Sequence, residues 1–339
     1  MTAAAGQVEA PSKRTFPRPH GIWGFILRRI ALGIVTLFLV SIVVFAATQA
    51  LPGDAARAFL GKNATPQSLA TLRQQLGLDR PVVTQYVDWL KGFVQGDLGK
   101  SLTGSQEPVS TVIGQRIKNS AFLVLIAALI SIPLSIVIGA IGARRRDQAF
   151  DHVSSMAMLV FAALPEFVTA ILLIVFFGTT VFHIFPPVSY IPPGGNPWDY
   201  PKELVLPVIT LVLAVTPYIA RITRASMIEV LESDYVEMAR LKGLGEQTVL
   251  WRHALPNGIA PAIQVIALNL AYLAGGIVVV ETVFAYPGIG SAFVDAVRSR
   301  DLPTVQALGL LIAAVYVVLN VAADVATILV SPRLRTSLK

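Results

Sequence analysis

The sequence predicts an all-α membrane protein with six transmembrane helices, a helical cap on the external face and a helical hairpin on the cytoplasmic face. Composition is the first reason: of 339 residues, 54% are hydrophobic and only 14% charged, a balance outside the range of ordinary soluble domains. The second is a set of six apolar runs, at 30–50, 120–143, 153–177, 204–220, 262–283 and 304–330, each long enough to cross about 30 Å of hydrocarbon. The third is where lysine and arginine fall. Sixteen of the 27 basic residues lie in the N-terminal segment and its junction with the first span, in 143–152, in 221–261 and after the last span, against three in the two short opposite loops. Cytoplasmic loops carry such an excess, so both termini are placed in the cytoplasm. The other eight lie in one long external interval, and long loops translocate with little regard to charge. The formal charge of +7 thus marks membrane edges and a lipid setting, not a nucleic-acid partner.

In chain order, residues 1–20 are polar, hold Pro11, Pro17 and Pro19 among Lys13, Arg14 and Arg18, and show no helical period, which predicts a disordered cytoplasmic tail. The first transmembrane helix is assigned to 21–50, its apolar run being too long for a cleavable signal. An external cap follows over 51–119. Thr65 and Pro66 read as N-cap and first helical residue, Leu69, Leu72 and Leu76 as an apolar stripe, and Gly77 as its stop. Tyr86, Leu90 and Phe93 predict a second cap helix, and Val109, Val112, Ile113 and Ile117 a third that lies on the membrane before the second span. Residues 120–332 form a five-helix core, interrupted by a hairpin at 225–261, and 333–339 a second cytoplasmic tail.

The hairpin is a polar, basic interval between two apolar blocks. Asp234 with Glu237 three residues on reads as a capping-box variant. Ile228, Leu231, Tyr235 and Met238, continuing to Leu241, recur at spacings of three and four, so one face of 227–242 is expected to be apolar and Arg240 to lie on the charged side. Gly243 and Gly245 stop that helix. A second, short helix over 246–255 then runs to Pro256, which limits it.

No catalytic arrangement emerges. His20, His152, His183 and His253 lack ligand spacing and the chain has no cysteine, so neither a metal centre nor a disulfide is expected. No G-x4-G-K-[ST] loop is present, so ATP is not expected to be held by this chain in the P-loop manner. Polar groups inside spans need an explanation, because a carboxylate in hydrocarbon costs roughly 3 kcal/mol. Glu166 follows Pro165 in the third span, where it either lines a translocation path or hydrogen-bonds a carbonyl freed at a proline kink. Asp324, near Asn320, and the pair Asn269 with Tyr272 either line the same path or hold helices together. Glu281, closer to the outer mouth, is expected to pair with a cation such as Arg300 or with a backbone donor. An ion-coupled carrier using Glu166 and Asp324, or a membrane hydrolase using them as a dyad, are the rival classes.

Glu237, Ala239, Gly243, His253, Leu255 and Pro256 form the pattern E-x-A-x3-G-x9-h-x-L-P, which resembles the coupling loop of binding-protein-dependent ABC importer permeases; Met238 and His253 stand where that family has alanine and isoleucine. LPGD at 51–54, GLDRP at 77–81, Tyr86, Trp89 and GDLGKS at 96–101, then Glu281, Phe284, PGIG (Pro287, Gly288 and Gly290 around an isoleucine), Ala296, Arg300, Asp301 and Pro303, are similar to the first permease subunit of dipeptide, oligopeptide and nickel importers. The PGIG turn is expected either to dip toward the membrane or to be a plain hairpin loop. The resemblance implies a type I importer permease fold in the inner membrane and a hairpin seated on a separate ATPase. It also implies a second homologous permease, two ATP-binding subunits that hold ATP and Mg, and a substrate-binding protein delivering peptide. Nickel or another small solute is the alternative cargo; a path without clustered His, Met or Cys favours peptide.

Overall fold

The computed structural model describes residues 21–50, 60, 64–75, 77–103 and 107–330; the two terminal tails, LPGD at 51–54 and Leu76 lie outside the described residues. Among these the regular structure is helical, with one isolated bridge between Lys100 and Pro108. The first helix, α1, runs Gly21–Ala50. Two cap helices follow. Pro66–Gln75 (α2) begins as the sequence predicts, because the Thr65 hydroxyl accepts the Ser68 amide at 3.2 Å, and the turn after it is made at Gly77 with φ +65°. Val82–Val94 (α3) lays Tyr86, Trp89 and Phe93 against Phe45 near the end of α1, with ring centroids 5.4–6.2 Å apart along the cluster. The third cap helix does not exist as a separate element. Residues 109–117 are the first turns of a 36-residue helix, Val109–Arg144 (α4), which continues without a break into the second span.

The third span is not a single rod. Ala149–Ala163 (α5) and Glu166–Leu173 (α6), the latter widening into a π turn at Ile174–Thr179, meet at an angle of 108°. Leu164, with ψ 126°, is extended because the ring of Pro165 crowds a helical backbone before it. Instead of kinking a helix, Pro165 caps a new one, and Glu166 is its first residue. Pro201–Leu231 (α7) is straight enough to span despite Pro207 and Pro217. The hairpin consists of Asp234–Leu241 (α8) and Glu246–Gly258 (α9), and Ala260–Val283 (α10) leaves it at 61°. Ile289–Ser299 (α11) and Leu302–Val330 (α12) complete the chain. Among the described residues, four helices are long and apolar enough to cross a membrane singly, and the count is six when each bent pair serves as one span.

The core forms where α4, α7 and α10 meet, around Leu123, Leu206, Leu211, Ile219, Leu273 and Ile277. α1 packs on α12, and α12 on α10. Gly139 lets α4 and α7 touch: a Cβ there would lie 2.7 Å from both the Ala220 carbonyl oxygen and the Thr223 Cβ. Buried dispersion contacts and small residues of this kind hold helices together where lipid removes the hydrophobic drive.

Candidate coupling hairpin, outer clasp and midplane cluster

The hairpin is built from a backbone break. Val236 and Glu237 donate their amides to the Ser233 carbonyl at 3.0 and 3.1 Å, and Ser233, with ψ 148°, occupies the N-cap position. The expected Asp234/Glu237 capping box is absent: no side chain caps α8, and both acids sit exposed in its first turn, where they complement the helix dipole. Because the chain breaks at Glu232 and Ser233, the helical register predicted across 227–242 is not continuous. The stripe divides accordingly. Leu231 is buried, whereas Tyr235, Met238 and Leu241 are 44%, 55% and 76% exposed; the face turned inward is Val236 and Ala239. These two join Ala140, Ala143, Met227, Val249, Leu250 and Ala254 in a second core that locks the hairpin to α4 and α7.

The turn is fixed equally firmly. Gly243 has φ +79°, its amide donates to the Arg240 carbonyl at 2.9 Å and the Leu244 amide to the Ala239 carbonyl at 3.4 Å, the paired bonds of a Schellman stop. Arg240 ties three elements, through Nε to Glu246 Oε1 at 2.9 Å and through a guanidinium N–H to the Leu231 carbonyl at 3.3 Å. Pro256 does not end the second helix. A π turn at Val249–Ala254 admits it, and the helix continues to Gly258, packed against Met227. His253 and Leu255 are half-buried, and the His253 carbonyl accepts from Tyr235 and Asn257.

Two clasps that sequence reading missed flank this unit. Asp151 is 3% exposed and takes Arg224 in a two-pronged bond at 2.5 and 2.6 Å, joining α5 to α7, and Arg146 meets Glu232 at 2.5 Å just before the Ser233 break. The available signal was an acid in the first turn of an apolar helix, next to three arginines; its partner lies 73 residues away, beyond any local pattern.

At the opposite end, Glu281 is fully buried and does not pair with Arg300. Its carboxylate accepts from the Ser120 hydroxyl and from the Gly290 and Ser291 amides at 2.7 and 3.2 Å, at the N-terminus of α11. The PGIG segment is therefore not a plain hairpin loop: it turns back onto α10 and opens a helix at Ile289. Gly290 packs directly on the Val278 backbone, Phe284 and Tyr286 are buried, and the Asn119 side chain donates through Nδ2 to the Pro287 carbonyl at 2.8 Å. Arg300 takes a left-handed turn, φ 57°, that lets the Asp301 amide reach the Ala296 carbonyl. Asp301, 2% exposed, then accepts from the Leu102 amide at 3.0 Å and the Thr304 hydroxyl at 2.7 Å, and from Ser101 and Thr103.

Of the polar residues expected on a path, Glu166 and Tyr272 come together and Asp324 does not join them. Asp324 pairs with Arg29 of α1 at 3.0 Å, near the hairpin end of α12, while Asn320 turns to the Tyr316 carbonyl. Asn269 bonds the Val265 carbonyl within its own helix. Glu166 lies against Gly276, where a Cβ would come within 2.7 Å of its carboxylate, and interacts with Tyr272 one turn earlier on α10.

A bundle with broken spans, a polar cluster among its helices and a locked hairpin with an outward apolar face defines a membrane permease subunit. The chain belongs to the family of binding-protein-dependent transport system inner membrane components, whose model matches residues 132–336, while the N-terminal portion of the same membrane component matches residues 22–136. It is 38% identical over 311 residues to a putative peptide transport system permease protein of Brucella abortus, covering 91% of this chain and 98% of that one. With the glutathione transport system permease protein of Escherichia coli K12 it shares 35% identity over 311 residues, covering 92% of this chain and 98% of that one. A solved amino acid ABC transporter chain aligns with 67% of this chain and 94% of its own length at a TM-score of 0.47 and 18% identity.

Proposed function

We propose that this chain is the permease subunit of an ATP-driven importer that carries peptides, with α8 and α9 on the cytoplasmic side and both termini there. One observation carries the reading. The hairpin's backbone is fixed from within by Val236, Ala239, Val249 and Leu250, while Tyr235, Met238, Leu241 and Leu244 are left outside on a polar face. Apolar side chains held rigidly in water mark a docking site, and a rigid lever is what an engine in another subunit needs. Two ATP-binding subunits holding ATP and Mg, a second homologous permease and a substrate-binding protein complete the assembly. ATP binding favours the outward-facing state only if it binds that state more tightly, and the hairpin is the element through which the difference reaches the membrane helices. Peptide as cargo is supported by the names of the relatives, glutathione itself being a tripeptide.

Leu241→Asp tests the docking face, because the side chain is exposed and its replacement disturbs no core contact. The variant is expected to keep its thermal unfolding midpoint and lose co-purifying ATPase subunits together with ATP-driven peptide uptake in proteoliposomes. Retention of both activities at wild-type levels rejects the hairpin as the coupling element.

A further inference from the structure

Among the described residues, the midplane cluster lacks a partner of opposite charge. Tyr272 stands halfway along α10 and Tyr218 close to halfway along α7, so both lie near the bilayer centre. Glu166 reaches the same level because the chain breaks at Pro165 and starts a new helix there. The three helices touch one another. Glu166 Oε1 is buried and has no hydrogen-bond partner, and no lysine, arginine or histidine forms an ion pair with Glu166, among the described residues. Tyr272 and Tyr218 are 49% and 44% exposed on helices that pack together, and Tyr272 lies one turn before Gly276, against which the Glu166 carboxylate rests. Turned to lipid, a carboxylate at this depth costs roughly 3 kcal/mol. The exposed tyrosines Tyr272 and Tyr218 open this face to whatever surrounds the subunit, and a passage shared with the second permease proposed above would supply it with water.

We propose that Glu166, flanked by Tyr272 and Tyr218, is a transit site for the α-ammonium group of the peptide. The chemistry is that of cation recognition: one carboxylate accepts charge-assisted hydrogen bonds, and tyrosine faces attract a cation through the ring quadrupole. Gly276 supplies the space. With any side chain there the carboxylate would be displaced, since a Cβ already meets both oxygens at 2.7 and 2.8 Å. One isolated carboxylate suits a group that must also leave, because affinity spread over several charges would trap the cargo. This assignment rests on the peptide-import reading and adds to it the part of the substrate that the membrane domain contacts.

The test uses the assembled transporter without its binding protein and a photoreactive tripeptide, either with a free amino terminus or N-acetylated. Wild type is expected to crosslink the free-amine peptide more than the acetylated one by about tenfold, the worth of one charge-assisted bond. Glu166→Gln, which keeps size and hydrogen bonding but not charge, should abolish that preference, and Glu166→Asp should retain part of it. Tyr272→Ala should weaken the preference and Tyr272→Phe preserve it, a second readout if the Gln variant does not assemble. Equal labelling in wild type, or a preference that survives both Glu166→Gln and Tyr272→Ala, overturns the site. If instead the complete wild-type importer takes up no peptide under ATP, the substrate reading fails, and this inference with it.

Discussion

At the scale of single residues, the glycines divide into those that supply space and those, such as Gly243, that supply a backbone angle. At Gly139 an added methyl would press on the Ala220 carbonyl oxygen, the Thr223 Cβ and the Arg224 amide nitrogen, parts of a helix that cannot step aside. At Gly258 the obstacle is the Met227 side chain, chiefly its sulfur, and methionine repacks readily. Gly139→Ala is therefore expected to cost about 2 kcal/mol, read as a lowered unfolding midpoint in detergent, and Gly258→Ala clearly less; equal losses would mean that the α4–α7 contact is softer than its geometry. Gly243 differs from both. Nothing lies within 4 Å of its would-be Cβ, but φ is +79°, so Gly243→Ala should cost about 1 kcal/mol through the backbone alone. Gly243→Asn should recover part of that loss, since asparagine tolerates the left-handed region. An alanine variant as stable as the asparagine one would show that the turn had relaxed to another conformation.

At the scale of elements, the Asp301 clasp joins the cap to the bundle at a second place, apart from the packing of α3 on Phe45. It caps the start of α12 through Thr304 and holds residues 101–103 through a backbone amide and two hydroxyls. Asp301→Ala removes all of these acceptors at once and leaves donors buried, at about 1–3 kcal/mol for the unsatisfied groups. Hydrogen exchange at Leu102 and Thr304 is expected to accelerate while that of the α8–α9 hairpin stays unchanged; uniform acceleration would mean global unfolding instead of release of the cap. The sequence could not announce this clasp, because Ser101 and Asp301 are 200 residues apart and neither position breaks a local rule. Local signals were legible: Thr65 and Pro66 opened α2, Gly77 closed its turn and Gly243 closed α8. Continuity was not. Residues 109–117 read as a separate amphipathic helix because their polar face ends where the span begins, yet nothing between them stops a helix. The opposite error arose at Ser233, where periodicity ran on through a backbone break and assigned Tyr235, Met238 and Leu241 to the inward face. Pattern reports which residues share a face only while the helix lasts.

At the scale of the whole molecule, the two ends of the bundle do different work, and which end faces the cytoplasm decides whether the hairpin can meet an ATPase at all. One end carries α8 and α9, the Asp151–Arg224 clasp and the Arg29–Asp324 pair; the other carries the cap helices, α11 and the Asp301 clasp. The excess of basic residues in the short segments around the hairpin end predicts that this end is the cytoplasmic one. Because the chain has no cysteine, a single introduced thiol reports its own side of the membrane. Val94, 79% exposed at the end of α3, marks the cap. Gly245 marks the hairpin: its φ of −64° suits any residue, and no atom lies within 4 Å of an added Cβ. In intact spheroplasts a membrane-impermeant maleimide is expected to label Val94→Cys and leave Gly245→Cys unmodified, and in inside-out vesicles the reverse. Labelling of Gly245→Cys from outside would put Leu241 and its neighbours where no nucleotide-driven subunit can reach them, and the hairpin would then have to be a binding surface for an external partner.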